Sequence, residues 1–165
     1  MVLYGISMVI TLLVMGPVLQ DASQKFAPEG NLPGNGTEMI SAIGSAIPPF
    51  KVFMLKHTNP DYHDSFYQTS LRISEKYQAP ELDRNDLTVV LPAFVASELS
   101  EAFRLGLYLY LPFVIIDLAV SSALMALGMM MVSPMSLTVP AKILLFVAVE
   151  GWAKVFSGLI SSYGV

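Results

Sequence analysis

The sequence has no cysteine, and only 13% of its 165 residues are Asp, Glu, Lys or Arg. Without cysteine there is neither a disulfide framework nor a thiolate metal site. A soluble domain carries about a quarter charged residues. A chain this poor in charge, 54% hydrophobic and with a mean hydropathy of +0.60, points to a bilayer. The nine basic residues form no cluster interleaved with aromatics, and the net charge is −4. That removes support for nucleic-acid binding. No Ser/His/Asp set, phosphate-binding loop or HExxH motif occurs, so the chain is expected to be no enzyme and to need no cofactor. What charge there is lies in the middle: eleven of the thirteen acids and six of the nine bases fall between Asp21 and Glu101.

The charge-free ends organise the chain. Val2 to Leu19 (VLYGISMVITLLVMGPVL) is eighteen residues without a charge, about 27 Å as a helix and just enough for a bilayer core. No basic region precedes it, so a membrane helix is preferred to a secretory signal, with Gly16-Pro17 a kink or exit. From Asp21 to about Leu87 the composition turns polar. Residues 27–36 (APEGNLPGNG) read as a loop. Thr37-Glu38 opens a short helix that Pro48-Pro49 ends, Phe50–Lys56 is a second, and Asn59-Pro60 caps and starts a third to about Tyr77. Leu91-Pro92 starts the next helix, on which Val95, Leu99, Ala102 and Phe103 share a face. It runs on into the apolar stretch Gly106–Val132, kinked at Pro112. A short turn bracketed by Ser133-Pro134 and Pro140 leads to a last apolar helix over 141–163, antiparallel to the one before it. The reading is all-α: membrane-type helical hairpins with a small helical insert, divided as 1–20, 21–90 and 91–165.

Few residues break the apolar pattern. Asp117 is the lone charge in Gly106–Val132 and must face protein or water, because lipid cannot solvate a carboxylate. A hydrogen bond to a neighbouring helix, with Ser121 one turn away, is preferred to a proton relay. Glu150 and Lys154 stand in the favourable order for an i,i+4 ion pair; the alternative is that Glu150 meets another chain, with Trp152 as a packing surface. Gly128-Met129-Met130-Met131 places three flexible, polarisable side chains in succession before a turn. One buried face cannot accommodate all three, and Gly128 frees the backbone as a loop hinge. The run His57, Asp61, His63, Asp64 has no recognised ligand spacing and reads as a solvated loop. Asn35-Gly36-Thr37 matches a glycosylation sequon of the kind that occurs by chance.

The run LPAFVASELSEAFRLGLYLYLPFVIIDLAVSSALMALGMMMVSP, from Leu91 to Pro134, strongly resembles the SctR/FliP family of type III secretion and flagellar export-gate subunits. LTVPAKILLFVAVEGW (Leu137–Trp152) is similar to the family's closing segment with its acid-Gly-Trp, and MVLYGISMVITLLVMGPV to the helix before its periplasmic insert. The middle matches loosely. The form of the central run looks closer to the virulence (injectisome) branch. The family normally carries an earlier hydrophobic segment and an Arg-Asn-Ala-Leu-Gly stretch ahead of the position of Met1, so the chain is expected to be N-terminally truncated. The resemblance implies a multi-pass protein of the bacterial inner membrane with a periplasmic insert. It implies a helical ring of five copies with SctS, SctT and SctU-type subunits, passing unfolded secreted polypeptides. By the same resemblance Met129, Met130 and Met131 form a pore gasket, and Asp117, Glu150 and Lys154 are buried or inter-subunit polar residues. The rival reading from the residues alone is a proton- or solute-coupled transporter using Asp117.

Overall fold

In a charge-poor chain each segment must satisfy its own backbone donors and acceptors, and a helix does so locally. The computed structural model describes residues 1–28, 34–80, 82–129 and 131–164. Among the described residues it holds α1 (Val2–Phe26), α2 (Gly36–His57), α3 (Pro60–Tyr77), α4 (Leu87–Ala126), α5 (Met135–Ala148) and α6 (Gly151–Ser162), with no strand. The all-α expectation holds. Of the loop expected over residues 27–36, positions 29–33 lie outside the described set. By length and composition α1, α2 and α4 can each cross a membrane; α5 and α6 together pass the same test as one span bent by 55°. The helices gather into two compact units, Met1–Leu99 and Ser100–Val165.

In the first unit α1 runs through Pro17 and beyond Leu19 to Phe26, its last turns carrying an Asp21–Lys25 ion pair of 2.9 Å. The sequence reading ended α2 at Pro48-Pro49; the structure corrects this, for α2 is one 22-residue helix with both prolines inside it. The cause is tertiary. α2 packs on α1, burying Val14 and Ala22 on one side and Pro49 and Met54 on the other. Ser45 also donates its hydroxyl to the Lys25 carbonyl (2.9 Å), one of the acceptors that the end of α1 leaves open. As a single helix α2 becomes long enough to span a membrane, which two short pieces were not.

α3 begins where the sequence indicated. The Asn59 side chain accepts from the Asp61 N–H at 2.9 Å, Pro60 takes the first helical position, and Gln78 closes the helix in the left-handed region at φ 50. Asp61, His63 and Asp64 therefore belong to a helix, a correction to the solvated loop, and His63 is buried with no hydrogen-bond partner for Nε2 among the described residues. α4 starts one turn before Leu91-Pro92, at Leu87, because Asp86 accepts from the Thr88, Val89 and Val90 amides. Its buried face here is Val89, Val90, Ala93 and Ser97, whereas Val95, Leu99 and Phe103 point outward. Ser97 accepts from the Asn59 N–H at 2.9 Å, Phe94 meets Phe53 edge-on, and Arg84 pairs with Asp64 while lying over Tyr67.

In the second unit α4 continues unbroken through Pro112 to Ala126. α5 begins at Met135 and passes through Pro140, so the turn expected to extend to Pro140 closes six residues sooner. Ser136 hydrogen-bonds back to the Ser133 carbonyl, and Leu137 and Thr138 donate to Pro134, which starts the helix before the proline is reached. The last apolar helix, expected as one piece over 141–163, is broken at Val149-Glu150.

Candidate functional site: the methionine turn and its hairpin

α4 ends by a glycine device. Gly128 adopts φ +74, its N–H donates to Met125 (3.1 Å), and the Met129 N–H reaches the Leu124 carbonyl (3.0 Å). This is the Schellman arrangement, in which a left-handed residue satisfies the last carbonyls of a helix. It turns the chain sharply, so Met129 and Met131 follow the helix end and are not part of its wall. Met129 is exposed and Met131 wholly so. Met130, the third residue of the expected gasket, lies outside the described residues.

The two helices flanking this turn are joined by polar groups at similar depth. Asp117 lies nine residues before Ala126, and Lys142 seven after Met135. The Lys142 ammonium donates to Asp117 Oδ2 at 2.6 Å, and Thr138, one turn before Lys142 on α5, is only 2% exposed. Phe113 meets Phe146 at 6.3 Å, so contacts descend on α4 as they rise on α5, which makes the pair antiparallel. The Asp117 and Lys142 side chains are 42% and 28% exposed. The sequence reading gave Asp117 a neighbouring-helix partner in general terms and missed Lys142 as that partner. The signal was available: the lone charge of the apolar stretch Gly106–Val132 and the lone, opposite charge of α5 lie at similar distances from the turn between them.

Glu150 and Lys154 do not form the expected ion pair. Glu150 caps α6 in the left-handed region at φ 52, ψ 43, and its carbonyl accepts the Lys154 N–H at 3.1 Å, so the two are joined through the backbone and not through their charges. Its carboxylate is exposed at the corner. Gly151 explains the acid-Gly-Trp sequence here: it is buried, and a Cβ at this position would collide with the Phe146 ring. Trp152 closes on the same ring edge-on at 5.3 Å and stacks with Phe156 at 5.7 Å. The corner is thus a glycine contact clasped by three aromatics.

Among the described residues no three His, Cys, Asp or Glu come together as a metal site. Nor does the hairpin present an activated nucleophile. What it offers is mechanical: a short apolar turn, rich in methionine, carried on two helices that an ion pair keeps aligned.

Comparison with known proteins gives the family. A sequence profile described as the FliP family matches residues 1–159. The chain is 41% identical over 163 residues to the harpin secretion protein HrpW of Pseudomonas syringae pv. syringae, covering 99% of this chain and 78% of that protein. It is 39% identical to the harpin secretion protein HrcR of Erwinia amylovora (99% and 75%) and 36% identical to the Yop proteins translocation protein R of Yersinia pestis (99% and 76%). The relatives' names come from bacterial secretion systems, and the profile spans both the methionine turn and the Asp117–Lys142 hairpin; this chain belongs to the FliP family.

Proposed function

We propose that this chain is a pore-forming core subunit of a virulence-type type III export gate in the bacterial inner membrane, passing unfolded secreted polypeptides. In this reading five copies form a ring with SctS, SctT and SctU-type subunits, the segment over 21–90 is periplasmic, and the turn of Met129, Met130 and Met131 is the gasket. The observation that carries the reading is the exposed methionine turn at the tip of an ion-paired antiparallel hairpin. A pore that must pass many sequences cannot bind any one side chain tightly, yet must stop ions when idle. Flexible thioethers can pack together when the pore is empty and part around a polypeptide, and an apolar constriction resists ions by dewetting.

The outer surface supports an assembled state. Every residue from Glu101 to Tyr110 is exposed, including Phe103, Leu107 and both tyrosines. An uncovered apolar helix of this kind calls for lipid or neighbouring subunits. The transporter alternative draws less support, because the Asp117 carboxylate is engaged by Lys142. The test is co-expression with the neighbouring export-gate subunits. The chain is expected to elute in a large complex with them, and a chain that stays monomeric in their presence contradicts the proposal.

A further inference from the structure

The break between α5 and α6 is one that the local sequence does not require. From Ala141 to Tyr163 there is no proline, and Glu150 stands in the left-handed region at φ 52, where a side chain is strained. Among the described residues the Gly151, Trp152 and Ala153 amides, which open α6, have no hydrogen-bond acceptor. A continuous helix would pair them with the Val147, Ala148 and Val149 carbonyls. It would also place Glu150 and Lys154 one right-handed turn apart, in the order that favours an ion pair. The bond from the Lys154 N–H to the Glu150 carbonyl is common to both forms.

Only the aromatic clasp favours the bend. The Phe146 ring lies where a Gly151 Cβ would be and meets Trp152 edge-on at 5.3 Å. Residues five and six apart on a continuous helix are not neighbours, so straightening gives up both contacts. Water decides between the forms. It solvates the three open amides of the bent corner, and where lipid or protein displaces it those amides become costly. Length acts in the same direction. α5 and α6 have 14 and 12 residues, about 21 and 18 Å, each short of the roughly 30 Å hydrocarbon core. Joined from Met135 to Ser162 they have 28 residues, about 42 Å.

We propose that Val149-Glu150 is a two-state hinge, bent by 55° while water reaches the corner and continuous, with Glu150 paired to Lys154, once the corner leaves water. The chain has no cysteine and a single tryptophan, Trp152, at the corner itself. Nitroxide labels on Leu137→Cys and Ser162→Cys, both exposed positions, give the distance between the arms by double electron–electron resonance. Along the helix axes it is about 38 Å in the continuous form and about 33 Å in the bent one. Glu101→Cys with Ala126→Cys, at the same spacing on unbroken α4, supplies the straight-helix reference. The full chain is measured in lipid nanodiscs and in detergent micelles, and Trp152 emission reports in each whether the corner is hydrated. Blue-shifted emission is expected with the reference distance, and red-shifted emission with a distance about 5 Å shorter. Phe146→Leu should lengthen the distance where wild type is bent. Glu150→Gly, which adopts the left-handed conformation freely, should shorten it where wild type is continuous. Far-UV circular dichroism checks that each variant remains helical; if one does not, the wild-type distances decide. A short distance with blue-shifted emission, a long one with red-shifted emission, or a distance that neither helical variant moves overturns the proposal.

Discussion

Asp117 and Lys142 neutralise each other at 2.6 Å, each on an otherwise apolar stretch of its helix. Removing one partner leaves the other charge uncompensated in surroundings that solvate it poorly. Asp117→Asn and Lys142→Gln are each expected to lower the thermal midpoint of the solubilised chain, and the exchange Asp117→Lys with Lys142→Asp should recover most of the loss. Failure of the exchange to recover it would show that the side chains' individual surroundings matter more than their attraction. Gly151 makes a sharper case, because its missing Cβ is where the Phe146 ring lies. Gly151→Ala should destabilise by about 1–3 kcal/mol through overpacking, read as a lowered midpoint in thermal unfolding. An unchanged midpoint means that the ring has another rotamer at no cost. Asp117 stood out in the sequence because a lone charge in an apolar run is conspicuous. Gly151 did not, since only the corner at Glu150 brings Phe146 over it.

Elements that start on local chemistry were legible. Asn59-Pro60 carries its own cap and its own φ, and α3 begins there. Elements that end against local chemistry were not. Pro48, Pro49 and Pro140 remain inside helices; at Pro49, which is buried, the packing on α1 and the Ser45 bridge to the Lys25 carbonyl of α1 outweigh the hydrogen bonds forgone. The converse occurs at Glu150, where a helix breaks without a proline: a left-handed non-glycine residue is strained, and the aromatic clasp around Gly151 holds it. The start of α4 adds a testable junction, since buried Ser97 accepts the Asn59 N–H that begins α3. Ser97→Ala should cost about 1 kcal/mol, with faster amide exchange confined to Asn59 and the first turn of α3. Exchange that rises uniformly over the unit, or not at all, argues against this bond as the tie.

For the molecule as a whole, hydrophobicity has two meanings. α4 is 40 residues long, about 60 Å and twice the thickness of a bilayer core. Its length therefore cannot be explained by lipid alone. The first part packs on the polar-rich unit through Val89, Val90 and Ala93, and the apolar remainder is exposed in the single chain. Gly106–Val132, which hydropathy presents as one spanning helix, resolves into a helix to Ala126, a glycine cap and an exposed methionine turn. The measurement closest to the central claim is ion conductance of the assembled gate reconstituted in planar bilayers without cargo. Wild type is expected to stay closed, and replacing Met129, Met130 and Met131 together by Ala should raise the resting current at least tenfold while the complex elutes unchanged. An intact complex that remains as tight to ions as wild type after that replacement would contradict the gasket and, with it, the proposed role of this hairpin.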